Sequence, residues 1–296
     1  MDAGSAQRAE AKRVSFGLPM LDWPHRQTPE PVAASAAATF MLHRIFRSLL
    51  VVFACLWIGI PVWAEQLDIM VEDGAAPWSK PDGTGYANDI VAAAYAAVGV
   101  DVKFTVLPYK RCKAKIVAGV APVCFSVSPE PGLPDAIVLS DKPLFTLHCK
   151  FYYNVTRPKK ANSEDDLQPG TVVGLVNGYE YPESIDRLKW RGIIIDLANS
   201  ERLSLKKLSA GRIDFAIMNV DRIKTEADIL RDAGVDNLAY AFDGGTLGAY
   251  VGFSKAHPRG EYARLKFNEG YAIITRNGVV RKIQRRWEHP DVPRKN

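Results

Sequence analysis

The sequence predicts an α/β protein built from two similar units, each a sheet with helices on its faces. Three observations predict it. Short apolar or alternating runs of strand length take turns with helix-period segments from residue 67 onward. A polar, turn-rich stretch, "RPKKANSEDDLQPG" (157–170), interrupts the series, and the same alternation then starts afresh. The 296 residues are 47% hydrophobic and 24% charged, a globular composition with length for one large domain or two lobes.

The elements follow in order. "LDIMV" (67–71) alternates and is short, a strand. "ANDIVAAAYAAVG" (87–99) has apolar residues at helical spacing, with Asn88 or Asp89 at its start and Gly99 as its stop. "VKFTVL" (102–107) is a strand, the segment from Tyr109 to Gly119 a helix, and "PVCFSV" (122–127) a strand. "CKFYYNV" (149–155) is a long apolar strand leading into the polar connection. Beyond it, "TVVGLV" (171–176), "GIIIDLA" (192–198) and "RIDFAIM" (212–218) read as strands. "NGYEYPES" is a turn into a helix, and "SERLSLKKLSAG" (200–211) is a helix capped by Ser200. "AYVGFSK" (249–255) and a helical C-terminal segment close the chain, the latter expected to pack back on the first unit.

The first 64 residues stand apart. From Met41, Arg44 and Arg47 form a basic start, Ser48 to Ile60 an apolar run, and Val62-Trp63-Ala64 a small-residue end. This is the three-part pattern of a secretory signal, with cleavage expected after Ala64. The run is shorter than the roughly 20 apolar residues of a membrane span, and Pro61 breaks its end. Residues 1–40 are polar and Ala/Pro-rich and read as a non-structural upstream extension. The expected organisation is extension 1–40, signal peptide 41–64, first lobe 65–152, second lobe 153–246 and a return to the first lobe over 247–296.

Composition excludes some classes. Residues 1–64 hold two more basic than acidic residues, so the net charge falls from +5 to +3 without them. That is too mild for a nucleic-acid surface. No cysteine spacing resembles a zinc site, and no phosphate loop or nucleophile–base pair stands out. No metal or cofactor is therefore expected. Export allows a disulfide among Cys112, Cys124 and Cys149.

"PYKRCKAKIVAG" (108–119) breaks a local rule. Lys110 and Arg111 crowd the first turn of a helix, where cations oppose the macrodipole. Such conflicts often mark a working site. In an alternating α/β chain, ligands sit where strands end and helices begin. Tyr109–Cys112 falls at that edge, as do "EDGAAPW" after the first strand and "SVSP" after the third.

These segments carry a resemblance. "EDGAAPWSKPDGTGYANDIV", "LPYKRCKAKIVAG", "LSDKPLF" (139–145), "TVVGLVNGYEYPES" and "LSAGRIDFAIMN", in this order, resemble the bacterial extracellular solute-binding proteins of family 3, receptors that feed polar amino acids to ABC importers. The resemblance covers nearly all of residues 65–287. It implies the two-lobed periplasmic binding protein (Venus flytrap) fold, two α/β lobes joined by two crossing strands with a ligand cleft between. It further implies a periplasmic, monomeric, non-enzymatic protein that closes on a small polar solute and meets an ABC permease in the inner membrane.

The same resemblance implies the ligand contacts. Glu72 stands where the family places an acidic contact, with a solvated turn residue as the alternative. Trp78 would wall the cleft or stack on a flat or cationic solute, or else pack under its loop. Tyr109 and Arg111 are the first-lobe candidates, Arg111 as a fork for a carboxylate or as a structural ion pair. Ser126, with Ser128 beside it, would hold a polar group after the third strand. In the second lobe, Gly178 and Tyr179 would begin a helix and offer backbone N–H groups to an anion, with Tyr179 or Tyr181 reaching the cleft. Asn219 ends the last strand of that lobe.

Two departures leave the ligand open. Relatives that bind α-amino acids carry an Arg after the third strand, whereas "PEPGLPD" (129–135) has no basic residue. They also carry an Asp where this chain has Asn219, with Asp221 two residues on. A Cys112–Cys124 bridge is geometrically allowed and would pin the helix start beside the cleft, leaving Cys149 a buried thiol. Two further readings share the fold: a dehydratase-like enzyme using Glu72, Glu180 or Asp221 as a general acid, and a sensory protein presenting its closed form to a membrane receptor.

Overall fold

The computed structural model describes residues 65–129, 133 and 135–288. The expected extension and signal peptide lie outside them. In chain order the elements are β1 (Glu65–Glu72), α1 (Tyr86–Ala96), β2 (Val100–Leu107), α2 (Tyr109–Val117), β3 (Val123–Val127), β4 (Ile137–Leu139) and β5 (Phe145–Asn154). They continue with β6 (Val172–Val176), α3 (Glu183–Asp186), β7 (Ile194–Ala198), α4 (Glu201–Ser209), β8 (Phe215–Val220), α5 (Glu226–Ala233), β9 (Leu238–Ser254), α6 (Gly260–Arg276) and α7 (Val279–Glu288).

The strands lie in the order β2-β1-β3-β9-β5-β8-β6-β7, with β4 also paired to β9. Two parallel groups result: β1 between β2 and β3, and β6 between β7 and β8. Strands β5 and β9 run antiparallel between them. The 17-residue β9 is shared, with its first part on β5 and Tyr250–Phe253 on β3. Its ladder with β5 shifts register between His148 and Lys150, opposite Gly244 and Gly245. This is the mixed α/β, two-lobed architecture that the alternation predicts.

The C-terminal helices α6 and α7 pack on α1. Tyr95 donates its hydroxyl proton to the Ala263 carbonyl at 3.0 Å, and Arg286 and Trp287 both donate to Asp89, at 2.6 and 2.7 Å. At the α1–α6 crossing a Cβ on Gly270 would stand 1.9 Å from the Ala94 carbonyl oxygen. Gly270→Ala is therefore expected to force the helices apart and cost about 1–3 kcal/mol or more. An unfolding midpoint within a degree of the parent's would reject this.

Two elements carry no sequence-based expectation, α5 and the three-residue β4. Thr225 caps α5 by accepting from the Asp228 N–H, and Gly234 ends it at φ 65°. Asn88 and Asp89 fall in the first turn of α1, as expected; no side chain caps the helix, and Asn88 donates to the Gly83 carbonyl at 2.8 Å.

Candidate functional site

The carboxyl ends of β1, β3, β6 and β8 converge on a small cavity lined mostly by buried residues. The parallel register sets Glu72 opposite Leu107, so the end of β1 and the start of α2 share one edge. Glu72, Trp78, Tyr109 and Ser126 line the cavity from the side of β1–β3, and Tyr179, Glu180 and Asn219 from the side of β6–β8. Phe145 and Leu147 of β5 close it. Its volume is about 30 Å³, room for one or two waters.

The two sides hold each other through reciprocal tyrosine–carboxylate pairs. Tyr179 donates to Glu72 Oε1 at 2.5 Å, and Tyr109 donates to Glu180 at 2.7 Å from either oxygen. The two rings meet edge to face with centroids 5.4 Å apart. Lys113 Nζ lies 2.6 Å from Glu180 Oε1. Further round the rim, Trp78 donates its indole N–H to Asp221 Oδ2 at 2.9 Å and stacks on Phe145 at 4.9 Å. Lys224 sits 4.4 Å from the centre of the Trp78 ring and forms a buried ion pair with Glu201. Glu201 in turn accepts the Asn219 backbone N–H at 2.8 Å.

Burial dominates the electrostatics. Glu72 is only 4% exposed, and burial, with Glu201 and Glu180 nearby, pushes its carboxyl up to about 7. The Tyr179 hydrogen bond and Lys224 oppose that rise. Burial also raises the Asp221 carboxyl, against hydrogen bonds from the Lys224 and Ile223 backbone and from Trp78.

Ser126 has a positive φ of 65°, in the left-handed region, where the β3–β9 register shifts between Phe125 and Val127. Its hydroxyl oxygen and Asn219 Oδ1 are buried without a hydrogen-bond partner among the described residues. Backbone strain and unpaired polar atoms at one cavity are features that functional sites retain. Ser126→Gly is expected to relieve strain and leave stability unchanged or higher by about 1 kcal/mol. A melting curve shifted clearly downward would contradict that account of the bulge.

Six of the eight candidate residues thus meet at the cavity: Glu72, Trp78, Tyr109, Ser126, Tyr179 and Asn219. Ser128 lines it too. Two do not. Arg111 is exposed, because Tyr109 and Cys112 occupy the inward face of α2 and residue 111 falls two positions, about 200°, from Tyr109. Lys113, one turn on from Tyr109, is the cation that reaches the other side. Gly178 lies behind the cavity, with φ 90°; a Cβ there would stand 3.0 Å from Lys110 Cβ. Its role is close approach of the chain to α2. No helix starts at Gly178: Pro182 precedes α3, so the expected anion site at that turn is not formed. Tyr181 is also turned away and accepts the Val176 N–H at 2.9 Å.

Cys112, Cys124 and Cys149 are buried free thiols, so the expected Cys112–Cys124 bridge is absent. Cys112 instead donates to the Val71 carbonyl at 3.2 Å and Cys124 to the Phe125 carbonyl at 3.7 Å. Burial pushes the Cys149 thiol up to about 12, the state of a packing residue. Among the described residues no group of three or more His, Cys, Asp or Glu side chains could hold a metal ion. A second, open groove of about 870 Å³ is lined by Thr146, His148 and Lys150, which alternate along β5 with Leu147 of the cavity.

The fold defines the class: the two-lobed periplasmic binding protein fold. A histidine kinase sensor domain with similarity to periplasmic binding proteins matches at a TM-score of 0.65 and 19% identity, over 75% of this chain and 95% of that one. An ancestral arginine-binding protein bound to arginine matches at 0.63 and 16%, over 75% and 97%. The arginine-, lysine-, histidine-binding protein ArtJ of Geobacillus stearothermophilus matches at 0.63 and 16%, over 78% and 97%. No family model matches the sequence, and no curated protein matches it significantly.

Proposed function

We propose that this chain is a periplasmic solute-binding protein that captures a small polar solute between its lobes by hinge closure and delivers it to an ABC importer. The observation that carries the reading is the small cavity to which both lobes contribute polar groups and where Ser126 Oγ and Asn219 Oδ1 are buried without a hydrogen-bond partner among the described residues. In this reading the protein is exported by the signal at 41–64, acts as a monomer and is not an enzyme. Reciprocal Tyr–Glu pairs across the cleft favour the closed form, and a solute would add its own contacts to both lobes. A sensory role on the same scaffold is the second reading, favoured by the match to a kinase sensor domain.

A thermal-shift screen of the purified protein against amino acids, amines, small carboxylates and sugars tests the proposal. A solute at 100 times its dissociation constant adds about 2.7 kcal/mol. That is a rise of roughly 5–11 °C at this size. Folded protein that answers to no solute would overturn it. A permease that binds the loaded form separates transport from sensing.

A further inference from the structure

Granted the solute-binding reading, on which this inference rests, we propose that the solute is a small organic ammonium cation without a carboxylate, held between Glu72 and Asn219. The lining carries two carboxylates, Glu72 and Glu180, and neither lysine nor arginine is among the lining residues. Glu72 Oε1 takes the Tyr179 hydroxyl proton. Asn219, 3% exposed, turns an unpaired Oδ1 to the same space, and Ser126 adds an unpaired hydroxyl oxygen. Asn219 Oδ1 is an acceptor that needs a donor, the Ser126 hydroxyl can accept as well as donate, and an ammonium offers three donors and no acceptor. Trp78, Tyr109 and Tyr179 supply the aromatic part of the wall; Lys224 already covers the Trp78 ring and Phe145 stacks on it, so the cation would be held by the carboxylate and the amide oxygen. Glu180 is already paired with Lys113, so a carboxylate would face Glu72 with no lysine or arginine in the lining to compensate it. The volume of about 30 Å³ favours short chains.

The site also has a proton signature. Glu72 is faced by Tyr179 and Glu180 after β6, Glu201 on α4, Lys224 after β8, Tyr109 on α2 and Cys124 on β3. An arriving cation favours the ionised carboxylate and expels its proton. Affinity should therefore rise with pH between about 4.5 and 7, the ordinary and the buried values for Glu72.

The test is calorimetry on matched pairs: methylammonium with glycine and ethanolamine with L-serine, with succinate and glucose added. At least one amine is expected to bind ten times or more tighter than its carboxylated parent, more tightly at pH 7 than at pH 5. Glu72→Gln should weaken that amine roughly ten- to a hundredfold. Asn219→Leu, which keeps the bulk and removes the acceptor, should weaken it about tenfold without touching an ionisable group. An amino acid, succinate or glucose binding as tightly as every amine overturns the cation while upholding solute binding. Amine affinity unchanged by both substitutions, or flat with pH, overturns the site. Folded protein that binds none of these solutes nor any in the wider screen overturns both proposals.

Discussion

Lys224→Ala is expected to lower the unfolding free energy by about 3–5 kcal/mol, the largest single-residue effect near the cleft. The side chain is 3% exposed and its partner Glu201 6%. Truncation leaves the Glu201 carboxylate buried, holding only the Asn219 N–H. It also removes the ammonium from the Trp78 ring. An exposed ion pair would cost 1 kcal/mol or less, so burial decides the magnitude. At this size the loss is a fall of roughly 6–20 °C in the melting midpoint. Lys224→Met combined with Glu201→Gln should recover most of it, since a neutral pair leaves no stranded charge and Gln still accepts from Asn219. A single variant melting within two degrees of the parent would show that water reaches the pair.

The second large effect is a pH dependence that belongs to Glu72. Its carboxyl titrates near 4.5 when unfolded and near 7 when buried. The folded protein therefore holds a proton that the unfolded chain has released between those values. The contribution is fully present below about 4.5 and is lost as pH rises through 7. The difference is about 3 kcal/mol. Other acids titrate in the same range, so the comparison is with Glu72→Gln. Denaturant titrations at pH 5 and pH 8 should give the parent a decline about 2.5 kcal/mol steeper than that of the glutamine variant, since pH 5 lies slightly above the unfolded value. Parallel declines would mean that the carboxylate is hydrated in the folded state.

The fold was legible because its signal is periodic. Strand-length runs alternating with helix-period segments mark most of the elements, and Ser200 caps α4 as its position suggests. Helix α5 was equally legible from Thr225 and Gly234, but it is short and its polar composition hides its apolar face. The extent of β9 was not legible, because Gly244, Gly245 and Gly248 read as turn residues while their backbone stays in the strand. Six site residues could be located because strand ends and helix starts fall at one edge of a parallel sheet. Arg111 has the chemistry of a ligand contact but the wrong helical phase to line the cavity. Tyr109, Cys112 and Ile116 are the buried positions of α2 and leave residue 111 outside. Glu180 reads from the sequence only as a possible general acid. Its pairing with Tyr109 and Lys113 spans some 70 residues and leaves no local trace.

The break in the β5–β9 ladder has a mechanical meaning. On either side of Gly244 and Gly245 the two strands are tied by paired residues, Thr146 to Gly248 on one side and Tyr153 to Ala239 on the other. A second register shift, between Phe151 and Tyr152, interrupts the ladder two residues further on. Were the lobes to part as proposed, bending would concentrate at these two shifts, and glycines turn at the first of them at the least steric cost. The joint and the clasp are thus separate parts. Stiffening the first, by a side chain at Gly245, would slow the lobes without changing the chemistry that grips between them.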